Sequence, residues 1–237
     1  MKKLTLLFTL VLVSQIAFAQ VPASFFTKVD TFLKATVTKG LVNYSEVKAN
    51  PQALNDLLEM AAIANVSENR PNEFKAFYIN TYNLIVIKKI SDYYPINNPL
   101  KIDGLFDKIQ ITVAGKKTTL NGIENDILRK TYPKEARFHF ALVCAGLGCP
   151  PIISEAYTPK KLENQLQQQT VAAINDPNFI REAGKNVKIS KIFEWYAQDF
   201  KQYGSYIDFL NIYRKTPLKA KLNVSFYEYN WNLNDSK

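Results

Sequence analysis

The sequence predicts an α+β fold: a mostly helical single domain with a small, largely antiparallel sheet. Three observations lead there. About six or seven helical segments and about five short strand segments follow one another without regular βαβ alternation. The composition, 47% hydrophobic and 13% aromatic, suits a packed core and argues against disorder. No internal repeat and no long Gly/Ser linker divides the 237 residues.

The first segment stands apart. Lys2 and Lys3 precede an apolar run from Leu4 to Val13, and Ala17-Phe18-Ala19 is a small-x-small cleavage signal. This reads as a secretory signal peptide over residues 1–19, too short to span a membrane. The expected mature domain covers residues 20–237, exported to the periplasm or outside the cell, with no stable membrane anchor. Removing Lys2 and Lys3 takes the formal net charge from +9 to +7. The remaining lysines are scattered rather than clustered, so no nucleic-acid partner is expected.

Pro22 to Lys39 carries apolar residues at helical spacing and meets a stop at Gly40. "NPQALNDLLEMAAIA" reads as a second helix opened by Asn-Pro. Phe74 to Ile90 is apolar nearly all round, which predicts a helix buried on most faces. Asn80 and Asn83 lie inside it, one turn apart. Their amides need partners, either the backbone of a neighbouring loop or a ligand. "IQITVAGKKTTL" predicts a hairpin, and Thr119 a cap for a helix from Leu120 to Lys130. "RFHFALVC", compact and apolar, is the best strand candidate. "TPKKLENQLQQQTVAAIN" predicts an amphipathic helix capped by Thr158. "VKIS" predicts a strand, "KIFEWYAQDFKQYG" and "SYIDFLNIYRK" two helices, and "VSFYEYNWNLN" a terminal strand.

The chemistry concentrates in "RFHFALVCAGLGCPP", which holds the only histidine, His139, and both cysteines, Cys144 and Cys149. A thiol nucleophile needs a base, and the base an orienting acid; Glu124 and Asp199 are the acids available. On a strand, His139 and Cys144 would face opposite ways, which leaves Cys149, beyond Gly146 and Gly148, as the better nucleophile. Arg137 would share the face of His139 and could bind a carboxylate or phosphate. The reading is a thiol acyl hydrolase or transferase with Cys149, His139 and Glu124 as catalytic residues and Arg137, Asn80 and Asn83 as substrate contacts. The competing reading is a Cys144–Cys149 disulfide, which export permits, in a non-catalytic module for a peptide or small ligand. One histidine and two cysteines make a poor zinc set, and no phosphate loop, dinucleotide fingerprint or Gly-x-Ser-x-Gly elbow occurs. No metal and no cofactor is therefore expected.

Five ordered motifs carry a family resemblance: "AFYINTYNLIVI", "GIENDILR", "RFHFALVCAGLGCPP", "SKIFEWYAQDF" and "YNWNLN". Together they resemble the domain-of-unknown-function 547 family over about residues 41–234. Tyr78 stands where that family commonly has Trp, and Asn125 where it often has His. The resemblance implies membership and motif positions rather than a reaction.

Overall fold

The computed structural model describes residues 20–237; the expected signal peptide lies outside them. About 48% of the chain is helix and 12% strand, with small sheets, an α+β fold as expected. Among the described residues the strand pairs are antiparallel except one.

Helix α1 (Ala23–Thr36) buries Phe25, Phe26, Val29, Phe32 and Leu33, the stripe its spacing predicts. At Gly40 the chain does not simply stop. Lys39 and Gly40 both take positive φ, 51° and 81°, and turn β1 (Val37–Thr38) onto β2 (Leu41–Val42), the geometry of a two-residue hairpin. A short helix unforeseen in the sequence, α2 (Tyr44–Ala49), is capped by Asn43. Helix α3 (Gln52–Ala62) follows Pro51. Helix α4 (Pro71–Tyr93) starts at a proline in its first turn and is buried on all sides through its middle, so it is the axis of the larger core cluster.

The hairpin β3 (Ile111–Val113) and β4 (Lys116–Thr118) forms in register. The Thr119 hydroxyl accepts from the Gly122 backbone N–H at 3.0 Å, the expected cap. The helix it opens, Gly122–Arg129, is wound as a π-helix, a geometry concentrated at functional sites.

"RFHFALVC" is not a strand. Ala136–Phe140 forms a 3₁₀ helix and residues 141–144 follow irregularly. The run is apolar because it feeds two cores. Phe138 packs in the α4 cluster, and Ala136 and Phe140 in a second cluster built from the C-terminal elements. Its backbone is satisfied by a side chain instead of a ladder: Asn83 Nδ2 donates to the Ala141 carbonyl at 2.9 Å, and the Val143 N–H donates to Asn83 Oδ1 at 3.0 Å. Strand alternation therefore does not separate His139 from Cys144.

Helix α5 (Leu162–Ile174) begins later than its sequence signal. Thr158 does not cap it; the Thr158 N–H donates to Gln165 Oε1. A three-stranded sheet follows, β5 (Ile180–Ala183) antiparallel to β6 (Asn186–Ser190), and β6 parallel to the late strand β7 (Asn223–Tyr227). The single helix expected from "KIFEWYAQDFKQYG" is broken at Tyr196 into α6 (Lys191–Trp195) and α7 (Ala197–Lys201). Helix α8 (Tyr206–Tyr213) has a capping box between Ser205 and Asp208. No helix among the described residues is long and apolar enough to cross a membrane.

The terminal strand is shorter than its sequence suggests. Beyond Tyr227 the chain leaves the sheet and runs beside the cysteine loop. The Leu147 N–H donates to the Asn232 carbonyl, the Gly148 N–H to Asn230, and the Asn234 N–H to Ala145. "YNWNLN" is thus the clamp on that loop.

Candidate active site

A cavity of about 280 Å³ opens on the seam between the two core clusters. The π-helix contributes Glu124, the 3₁₀ turn His139, the following loop Cys144 and Cys149, the α6–α7 break Trp195 and Tyr196, and the terminal clamp Tyr229 and Trp231. Tyr82, Phe106 and Leu142 complete much of its apolar wall. The volume falls just short of the usual range of ligand pockets, about 300–1,000 Å³.

His139 is buried and held from several sides. Its Nε2 lies 2.7 Å from Asp199 Oδ2. A carboxylate only accepts, so Nε2 carries the proton and Nδ1 is the free ring nitrogen when the imidazole is neutral. Nδ1 faces Glu124 Oε1 at 3.9 Å, beyond hydrogen-bond reach. The imidazole stacks on Tyr196 with centroids 4.0 Å apart and leans on Phe200 at 5.2 Å. Asp199, far along the chain, is therefore the orienting acid rather than Glu124. The Tyr196 break between α6 and α7 brings ring and carboxylate to the same imidazole.

Asp199 is itself fixed by Arg129, whose Nε and a terminal nitrogen reach the two carboxylate oxygens at 2.7 and 3.0 Å. Burial alone would raise the Asp199 carboxyl. Hydrogen bonds from His139 and Arg129, with their charges, overcome that and hold it at about 2. The Arg129 guanidinium also lies over the Tyr196 ring, 4.9 Å from its centroid.

The two thiols are free, with sulfurs 2.8 Å apart, close but not bonded as the disulfide reading expects. Cys144 Sγ lies 3.0 Å from the Tyr229 hydroxyl, and the Cys144 N–H donates to Cys149 Sγ at 3.1 Å. Burial opposes ionisation at Cys144, yet hydrogen bonds from Cys149, Tyr229 and nearby backbone bring its thiol below the usual range. Cys149 moves the other way: as donor to Cys144, and because it is buried, its thiol is pushed well up. Of the two, Cys144 is therefore the thiol that gives up its proton first. Burial, followed by the two thiols, pushes the Tyr229 phenol up as well, so it remains a donor.

The backbone of the loop is made for this contact. Ala145, between Cys144 and Gly146, adopts φ of 63°, a conformation that costs a non-glycine residue about 1–2 kcal/mol. At Gly148 a Cβ would lie 2.9 Å from the Asn230 backbone nitrogen and from the Tyr229 ring. Only glycine lets the terminal clamp approach so closely.

The structure thus brings Glu124, His139, Cys144 and Cys149 to one cavity, although no hydrogen bond joins His139 to either sulfur. Arg137, Asn80 and Asn83 lie elsewhere. Arg137 is bound by Glu135 and Glu163, and Glu163 also pairs with Lys75 at 2.7 Å. Asn80 exchanges two hydrogen bonds with the Tyr157 backbone, at 2.7 and 3.0 Å, as Asn83 does with residues 141 and 143. Both amides satisfy loop backbone, the first of the two roles their burial allows. Arg129, Tyr196 and Tyr229 had no sequence signal beyond their place in or beside the family-like motifs. No three-residue His/Cys/Asp/Glu group suited to a metal occurs among the described residues.

A family model described as "Protein of unknown function, DUF547" matches residues 66–172. That span holds Glu124, Arg129, His139 and both cysteines, and ends before Asp199 and the terminal clamp. No curated protein and no solved structure matches the chain.

Proposed function

We propose, for this chain that carries a DUF547 domain at residues 66–172, that it is an exported cysteine-dependent acyl hydrolase or transferase. The nucleophile is Cys144 rather than Cys149. The observation that carries this reading is the asymmetric thiol pair, sulfurs 2.8 Å apart, in one cavity with an imidazole oriented by a carboxylate. The Cys144 thiol passes its proton to His139 Nδ1, and the resulting thiolate attacks the acyl carbon and forms a carbon–sulfur bond. The bond from acyl carbon to the leaving oxygen or nitrogen breaks, and the leaving group takes a proton from His139. In hydrolysis, His139 then accepts a proton from water as the water oxygen bonds to the acyl carbon and the thiolate departs. An acceptor alcohol or amine replaces water in transfer. Asp199 and Arg129 position the imidazole, and Cys149 donates a hydrogen bond to the thiolate between turnovers.

The test is the rate of iodoacetamide labelling as a function of pH, site by site, by mass spectrometry. Cys144 is expected to label with a midpoint below that of an ordinary thiol, and its replacement by Ser to abolish formation of an acyl-enzyme from activated thioesters. Labelling confined to Cys149, or an acyl-enzyme that survives Cys144→Ser, overturns the assignment.

The close approach of the two sulfurs also favours a second reading, a non-catalytic module for a peptide or small ligand, closed by a Cys144–Cys149 disulfide. Under it, the purified protein labels at neither cysteine until a reductant is added.

A further inference from the structure

We propose that this cavity is built for a compact cationic group, an organic ammonium carried by the substrate. The inference rests on the proposed function only for its place, taking the same cavity as the substrate site.

The wall facing the thiols is aromatic and continuous. Trp195, Tyr229 and Trp231 pack against one another, centroids 4.6 to 5.9 Å apart, and Tyr196 joins them in lining the cavity. Trp195 remains 48% exposed, so the wall reaches from floor to solvent. Ring faces carry negative charge density and attract cations, with Trp the strongest; cages of such rings recognise ammonium ligands.

Charge points the same way. The chain has 30 Lys and Arg against 21 Asp and Glu, yet no lysine or arginine lines this cavity. The carboxylate among the lining residues, Glu124, is 8% exposed, and His139 Nδ1 lies 3.9 Å from it. Among the described residues no lysine or arginine pairs with this carboxylate. A buried carboxylate is retained when something pairs with it, and an ammonium beside Glu124 would do so. Arg129 is close enough to feel the Glu124 charge. It is already committed to Asp199 and lies against Tyr196, so it does not fill that role.

The chain's tryptophans are Trp195 and Trp231, and both line the cavity, so intrinsic fluorescence reads occupancy directly. The experiment titrates the protein with choline and, separately, with 3,3-dimethylbutan-1-ol, its uncharged isostere. Choline is expected to change the emission saturably, and the isostere to bind at least about tenfold more weakly. Glu124→Gln, its fold checked by circular dichroism, is expected to weaken choline by a similar factor and leave the isostere unchanged. Equal affinity for the two probes, or no saturable response to choline, overturns the proposal. Because the two probes are compared on the unaltered protein, the result stands even where the variant fails to fold. Iodoacetamide labelling of Cys144 on the same preparation separates the claims: a reactive thiol without choline binding sinks the ligand class alone, and choline binding with an inert thiol sinks the acyl-transfer chemistry alone.

Discussion

Replacing Asp199 with Asn should cost about 2 kcal/mol of stability at neutral pH, and that cost should vanish in acid. The Asp199 carboxyl is held at about 2 against an ordinary value of 3.8. At about 1.4 kcal/mol for each tenfold change in proton affinity, the interactions favouring the carboxylate are worth about 2.5 kcal/mol. Its side chain is 17% exposed, and solvent screening trims that figure to about 2 kcal/mol. The carboxyl is depressed in the folded state, so its contribution is full above the unfolded value. It falls away as pH drops from about 4 through 2. Urea unfolding of both proteins across this range reads the difference directly. A loss at pH 7 no larger than an exposed ion pair supplies, under about 0.5 kcal/mol, would contradict the claim that His139 and Arg129 bind an ionised Asp199. A loss that persists unchanged at pH 2 would contradict it equally. The same substitution lets the amide present either its oxygen or its nitrogen to Nε2, so acyl-enzyme formation should slow by more than the stability change explains.

Tyr229→Phe removes the hydroxyl beside Cys144 Sγ, so the pH midpoint for labelling Cys144 should rise; an unchanged midpoint would mean that Tyr229 does not stabilise the thiolate. Gly148→Ala drives a Cβ against Asn230 and Tyr229 at 2.9 Å and should cost about 1–3 kcal/mol in urea unfolding. Asn83→Ala leaves the Ala141 carbonyl and the Val143 N–H without their partner in a buried setting, a loss of about 2–4 kcal/mol by thermal or urea unfolding. A loss below about 1 kcal/mol there would show that water or a backbone shift replaces the amide.

Much of the helical frame is legible in the chain because each helix carries its own signal. The stripe in α1, the all-round apolar run of α4 and the Asn-Pro start of α3 are local chemistry, read within a few turns; the start of α4 at Pro71, three residues before Phe74, is not among them. The hairpin at Ala114-Gly115 and the Thr119 cap are equally local. "RFHFALVC" reads as a strand and is none, because a short apolar run reports burial, not backbone conformation. Its partners are the Asn83 amide, on a helix far upstream, and two separate cores. Neither leaves a periodic trace in so short a run. The helix break at Tyr196 is hidden for a related reason. Local propensity continues through "FEWYAQDF", and packing of Tyr196 against His139 and Arg129 decides where it stops.

The α+β class, the main helices and the concentration of reactive groups in residues 139–149 are thus written in the chain itself. The choice among the acids, and between the thiols, is not. Glu124 is nearer His139 in the chain, but Asp199 reaches it in space. Strand alternation speaks for Cys149, while the hydrogen-bond donors around the sulfurs favour charge on Cys144. Those choices depend on which donors and carboxylates long-range packing brings within about 3 Å, since hydrogen bonding falls off steeply beyond that distance. The terminal clamp illustrates the point: Tyr229 lies 85 residues beyond Cys144 and meets its sulfur at 3.0 Å only because Gly148 lets the two backbones close together.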